Sequence, residues 1–204
     1  MAKKLTLNLI DFQNDFVAPG GALTFDNGKG DPHLITRAED FFAQLPKNIF
    51  NNAIVTYDTH FKETYFQSEE AKIFPLHCEK GTLGWLLAIN KRNLATKIQA
   101  IQYLKKSTYD MWEASIDTVN QTILQQTDEV VLCGVASDFC NKAALLGWLK
   151  KDIPVTILTD LTRGILKQTE EVLKEEPFKQ AVLKGRIKTI TAKNFLNQFQ
   201  NQRS

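Results

Sequence analysis

An open, three-layer α/β sheet, mostly parallel, with five or six strands and helices on both faces, is what this sequence predicts. Three observations lead there. Short apolar, β-branched runs alternate with amphipathic stretches from end to end, the pattern of repeated β-α units. The runs are almost continuously apolar, as strands covered on both faces are. The 204 residues suffice for one sizeable core, so residues 1–204 are expected to form a single domain.

In chain order the strand candidates are "KLTLNLI" (4–10), "NAIVTYD" (52–58), "KIQAIQYL" (97–104), "EVVLCGV" (129–135), "PVTILTD" (154–160) and, more weakly, "RIKTITA" (186–192). Helical spacing marks 33–45, 111–126, 137–151 and 169–184, and Pro177 should break or offset the last. Strands joined through helices run parallel with right-handed crossovers. Ligands then bind beyond the carboxyl ends of the strands, so chemistry belongs there. Residues 59–95 carry no clear strand and hold two of the three histidines. A stretch of that length without regular structure inside a compact domain is usually functional.

Composition excludes several classes of partner. A hydrophobic share of 43% and a charged share of 24% are ordinary for a soluble globular protein. The net charge of +2 is spread along the chain, which leaves no footprint for nucleic acid or anionic lipid. The apolar run after Lys3 and Lys4 reaches Asp11 too soon for a secretory signal, and no run is long enough to span a bilayer. Three cysteines, Cys78, Cys133 and Cys140, make no disulfide framework, so a reducing cytoplasm is expected.

The strand ends bring chemistry-bearing residues. Asp11 closes the first strand, either as a turn cap or as a catalytic carboxylate. Asp58 and His60 end the second at a spacing that points both to one side. Glu70 and His77 follow across Pro75. Together these four make a mixed nitrogen and oxygen set suited to Zn, Mn or Fe more than Ca, or else a loop cap and unrelated surface residues. Lys105 or Lys106 follows the third strand, where a lysine would hold a nearby carboxylate ionised and help ionise a thiol. Ser137 or Asp138 is expected to cap the next helix, with Cys140 in its first turn, where free N–H groups lower a thiol pKa and could hold an oxyanion. Cys133 and Cys78 read as core residues. Asp160 and Arg163 after the fifth strand line a cleft rim or form a turn with Gly164.

Taken in order, "LIDFQNDF", "YDTH", "EEAKIFPLHCEKGTLG", the lysine before "STYDMW" and "CGVASDFC" resemble the isochorismatase-like cysteine hydrolases, and within them the metal-bearing nicotinamidases, also called pyrazinamidases. The similarity covers about residues 5–165. It implies the isochorismatase-like hydrolase fold, with 59–95 as a metal-binding insertion. Asp11 is implied as general base, Cys140 as nucleophile, and Lys106, with Tyr109 and Trp112 at the family's distances from it, as the third member of the triad. Asp58, His60 and His77 match metal ligands, with Glu70 as the fourth and Glu69 or Glu63 as alternatives. One divalent ion is implied, Zn foremost, with Mn, Fe or Mg as alternatives.

The resemblance further implies a cis peptide at Val135–Ala136, an oxyanion hole from the Ala136 and Cys140 N–H groups, and Phe16, Phe74, Tyr109 and Trp112 around a substrate ring. The segment 107–112 departs from the family pattern, in which glycine often follows the lysine. The implied activity is hydrolysis of nicotinamide, and of pyrazinamide, through a cysteine thioester in NAD salvage. A related hydrolase of another small amide, carbamoyl or ureido compound would keep the triad without the metal. A small-molecule substrate and a homo-oligomer are the expected partners.

Overall fold

The computed structural model describes residues 3–114 and 124–200. Six parallel strands form one sheet: β1 (Leu5–Ile10), β2 (Phe50–Asp58), β3 (Ala100–Lys106), β4 (Glu129–Val135), β5 (Val155–Arg163) and β6 (Ile187–Ile190), in the order β3-β2-β1-β4-β5-β6. The chain steps outward from β1 to β3, then crosses back to β4 on the other side of β1. That reversal is a topological switch point between β1 and β4, and open α/β sheets bind ligands beyond the carboxyl ends of the strands at such a point.

Every residue of β1 is buried, which explains the unbroken apolar run. Alternate residues feed opposite faces. Leu7, Leu9, Val131 and Cys133 face one layer with Leu34, Phe41 and Phe42 of α2 (Pro32–Gln44) and Phe195 of α8 (Ala192–Gln200). Ile10, Ile54 and Leu132 face the other with Cys140, Leu145 and Trp148 of α5 (Cys140–Lys150) and Phe178 of α7 (Phe178–Leu183). Asn8 is buried in this second face because its Oδ1 accepts the Trp148 indole N–H at 2.8 Å. Gly134 (φ +114°) pairs with Ile10, and a Cβ there would lie 2.0 Å from the Ile10 carbonyl oxygen. Only glycine lets β4 approach β1 this closely.

Several expected boundaries move. The third strand starts later than 97 and runs through Lys106, because residues 96–98 turn back onto Arg92 and Leu94. The fifth continues past Asp160 to Arg163, whose guanidinium pairs with Asp31 (2.7 Å) and Asp26 (2.8 Å). The Asp160 carboxylate instead accepts the Ala192 N–H. The 169–184 helix is two short ones, α6 (Thr169–Val172) and α7, divided ahead of Pro177, whose peptide bond to Glu176 is cis.

The expected 137–151 helix begins only at Cys140, and neither Ser137 nor Asp138 caps it. The Asp138 carboxylate is taken up by the N–H groups of Ile165, Leu166 and Lys167, and Ser137 Oγ by Thr169. Segment 59–95 contains α3 (Lys62–Tyr65), a 3-10 turn (Glu70–Lys72) and α4 (Lys91–Ala95), and a short α1 (Asn14–Val17) follows Asp11. Residues 115–123 of the helix expected over 111–126 lie outside the described residues. No described helix is long and apolar enough to cross a membrane.

Candidate active site

Asp11 follows β1 directly in a left-handed conformation (φ 43°), one that Asp tolerates better than most residues. Lys106 ends β3, and Cys140 opens α5. All three side chains are buried. Lys106 Nζ lies 2.6 Å from Asp11 Oδ2 and 3.4 Å from Cys140 Sγ, and it also donates to the Thr108 carbonyl at 3.1 Å. The other Asp11 oxygen accepts the Thr56 hydroxyl at 2.6 Å, while Thr56 Oγ1 accepts the Asp11 N–H. Lys105, one residue earlier and so on the opposite face of the strand, reaches over the Trp85 ring instead.

Charge in this corner is set by burial and by the three partners. Burial would lower the Lys106 pKa, but Asp11, Cys140 and Asp58 hold it well above the ordinary lysine value, so the ammonium persists. Burial raises Asp11, a rise that Lys106 opposes and Asp58 adds to. The Cys140 thiol is pushed well up, by burial first and then by Asp11 and Asp58, against the pull of Lys106. The helix start therefore does not deliver the lowered thiol pKa expected of it. The thiol and the neighbouring carboxylate are thus both shifted upward, with the Lys106 ammonium between them.

The turn between β4 and α5 contains the cis Val135–Ala136 bond. It is pinned by hydrogen bonds from Phe139 N (3.1 Å) and Asn141 N (3.0 Å) to Ala136 O, from Ser137 N to Arg163 O, and from Asn141 Nδ2 to Gly134 O. Among the described residues, neither the Ala136 nor the Cys140 N–H has a protein acceptor.

Asp58, His60, Glu70 and His77 converge beside this corner, their donor atoms all within 4.8 Å of one another. Both histidine Nε2 atoms lie 3.1 Å from Asp58 Oδ2 and 3.5 Å from Glu70. With ligand bonds of about 2.0–2.2 Å, neighbouring ligands of a divalent ion stand about 3.0–3.5 Å apart, so the set fits such an ion. The His77 Nδ1–H donates to the Pro75 carbonyl at 2.8 Å, which turns Nε2 toward Asp58 and Glu70 as the nitrogen that could ligate. Burial alone would lower His77, but Asp58 and Glu70 outweigh it and raise its pKa to about 10. Asp58, resisted by burial, is held far below the carboxylate range by Lys106 and the two histidines. Glu69 is exposed and paired with Lys72, and Glu63 is exposed on α3, so neither alternative reaches the cluster.

The aromatic expectations divide. The rings of Phe16 and Phe74 lie 5.4 and 6.4 Å from that of His77. Tyr109 lies near both corners, its hydroxyl pushed up to about 12 by burial and then by Glu70, Cys140 and Asp58. Among the described residues that buried hydroxyl has no hydrogen-bond partner. Phe139, unforeseen from the sequence, stands between Phe74 (5.4 Å) and Tyr109 (5.3 Å). Trp112 is not in this wall. It packs on Trp148 at 4.7 Å, and its indole N–H donates to the Ala144 carbonyl in space that Gly147 leaves open. Cys78 and Cys133 are buried thiols, as expected. Thr56 also went unforeseen, as did Gln13, whose side chain accepts the Asp58 N–H, and Asp15, whose carboxylate accepts the Cys78 N–H beside His77. Thr56 lies two residues before Asp58 on the same strand face, which is the one signal that pointed to it.

A family model described as the isochorismatase domain matches residues 6–185. A nicotinamidase of Saccharomyces cerevisiae is 28% identical over 207 residues, spanning 84% of this chain and 94% of its own. A nicotinamidase/pyrazinamidase of Mycobacterium tuberculosis is 27% identical, spanning 83% and 92%. Among solved structures, PnC1 of L. infantum in complex with nicotinate superposes with a TM-score of 0.70 at 22% identity, over 94% of each chain. The chain therefore belongs to the isochorismatase family, and among its relatives it stands with the nicotinamidases as an amidohydrolase.

Proposed function

We propose that the protein is a metal-dependent nicotinamidase, converting nicotinamide to nicotinate and ammonia through a Cys140 thioester, with pyrazinamide as a second substrate. The observation that carries this reading is the buried Asp11–Lys106–Cys140 chain with four metal-competent donors against it, linked by Lys106 Nζ standing 3.7 Å from Asp58 Oδ1. The nicotinamidase relatives and the nicotinate complex of the L. infantum protein support the substrate class.

A divalent ion held by Asp58, His60, Glu70 and His77, Zn foremost, would supply a Lewis-acidic anchor for the pyridine nitrogen. Phe16, Phe74, Phe139 and Tyr109 flank the ring and exclude water. With the carboxamide over Sγ, Asp11 takes the thiol proton while the Lys106 ammonium stabilises the ion pair that forms. The Ala136 and Cys140 N–H groups receive the oxyanion. Asp11 returns its proton to the departing nitrogen, which leaves as ammonia, then takes one from the water that attacks the thioester carbonyl and passes it to Cys140 Sγ as the C–S bond breaks. Nicotinate leaves for NAD salvage in the cytoplasm.

Ammonia release from nicotinamide and pyrazinamide, with and without a chelator, tests the reading. Turnover that the chelator abolishes and a divalent ion restores is expected. Activity on carbamoyl or ureido compounds alone, indifferent to chelation, would replace the nicotinamidase reading with the metal-free one.

A further inference from the structure

The segment after the catalytic carboxylate does more than leave the sheet. Residues 12–15 run antiparallel to 84–88, with Ala88 N donating to Phe12 O (2.8 Å), Asn14 N to Leu86 O (2.9 Å) and Asp15 N to Gly84 O (3.0 Å). Gln13 lies in this ribbon two residues after Asp11, and its side chain is fully buried. A buried amide needs its donors and acceptor satisfied, and where they are spent shows what the residue holds. Gln13 Oε1 accepts the Asp58 N–H at 2.8 Å. Gln13 Nε2 donates to the Asp58 carbonyl and to the Trp85 carbonyl, both at 2.9 Å.

The amide thus grips both backbone polar groups of one residue at the end of β2, on the side where the neighbouring strand β1 has already ended at Ile10. That residue is the one whose carboxylate faces His60 and His77 with one oxygen and Lys106 with the other. We propose that Gln13 is a positioning residue for the metal centre: its amide fixes the Asp58 backbone so that the carboxylate meets the two histidines, at a set distance from Asp11. The proposal rests on the reading of Asp58, His60, Glu70 and His77 as metal ligands. It assigns Gln13 no contact with substrate or metal. Two residues of one turn, Asp11 and Gln13, would then set the spacing between the base and the ring anchor.

The test is a Zn²⁺ titration of the purified, metal-free protein against a chromogenic chelator, for wild type, Gln13→Met and Gln13→Glu. Met fills the same space with no hydrogen bond. Glu keeps the acceptor for Asp58 N–H but turns an oxygen toward the two carbonyls. Each variant is expected to weaken Zn²⁺ binding roughly 10–100-fold, as loss of an outer partner of a metal ligand does. In the Zn²⁺-loaded enzyme KM for nicotinamide should rise by more than kcat falls, since ring anchoring is what loosens. A residue that merely packs would lower the thermal midpoint of the metal-free protein and leave the Zn²⁺ affinity unmoved. Affinities within about threefold of wild type in a folded variant, a shift of well under 1 kcal/mol, would overturn the inference while leaving the nicotinamidase reading intact. Wild-type protein that takes up no Zn²⁺ would overturn both. If Gln13→Met does not fold, Gln13→Glu carries the measurement alone.

Discussion

The proposed catalytic corner gathers Asp11, Lys106 and Cys140 from the ends of β1 and β3 and the start of the helix after β4, whereas the candidate metal corner takes all four donors from one stretch of chain, residues 58–77. The first is a product of sheet register: Ile10 pairs with Gly134, and Asp58 with Lys106. The second is mainly a product of a loop: Asp58 ends β2, but His60, Glu70 and His77 lie beyond it, held by local bonds such as His77 Nδ1 to Pro75 O and Tyr65 Oη to the Pro75 carbonyl. Chemistry built on register moves only if the sheet moves, while chemistry built on a loop can be lost with the fold intact. The two corners should therefore fail separately under substitution.

Cys140→Ala should have the largest effect, a loss of amide turnover of about ten-thousand-fold or more, because the nucleophile is gone and the other groups act only with it. Its bound metal, measured by elemental analysis, should stay at the wild-type level. A Cys140→Ala protein that loses its metal would show the two corners to be one cooperative unit. His77→Ala is the converse cut. It should cost turnover at limiting metal by at least the roughly 10–100-fold seen when outer-shell partners are removed, while Cys140 stays alkylatable by iodoacetamide. A thiol that loses its reactivity there would break the comparison from the other side.

Trp112→Phe should cost about 1 kcal/mol of stability for the hydrogen bond to Ala144 O and leave KM for nicotinamide unchanged. A raised KM would return Trp112 to the substrate wall.

The smallest effect is expected at the surface, where Glu175 is paired first with Lys142, on the nucleophile helix, and then with Lys167, which lowers its carboxyl pKa to about 2. A carboxyl depressed in the folded state stabilises above its unfolded value, and that contribution is lost as pH falls through the folded value. Urea midpoints of wild type and Glu175→Gln should thus differ slightly at pH 6 and converge near pH 2. A difference that persists at pH 2 would show the effect of the residue to be packing rather than charge.

Much of this was legible in the sequence, for physical reasons that also explain the rest. β1 and β4 are central strands with both faces covered, so "LTLNLI" and "VVLCGV" announced themselves. β3 is an edge strand with three of its seven residues exposed, and its polar "QYLKK" concealed where it ends. Asp11 and Asp58 stand where apolar runs stop, Cys140 stands at the helix start after one, and Glu70 and His77 follow Asp58 and His60 in the histidine-bearing segment, so the residues themselves nominated them; the resemblance chose Lys106 over Lys105. Spacing could not place Trp112, because the space it fills is opened by Gly147, 35 residues further on. Gln13 and Thr56 stayed hidden for a related reason: their partners lie 45 residues away in sequence, and a polar residue after a strand gives no hint of what it will hold. Ser137 and Asp138 looked like helix caps because local rules favour them, and a distant loop claimed both.

The contact at Gly134 has a practical meaning for anyone redirecting this scaffold to new amides. With the Ile10 carbonyl oxygen 2.0 Å from where a Cβ would stand, any larger residue must wedge β1 and β4 apart and carry the base away from the thiol. Mutant libraries gain nothing from randomising that position. On the proposed function the adjustable dimension is the ring slot, so diversity is best spent on Phe74, Tyr109 and Phe139, with the frame behind them left as it is.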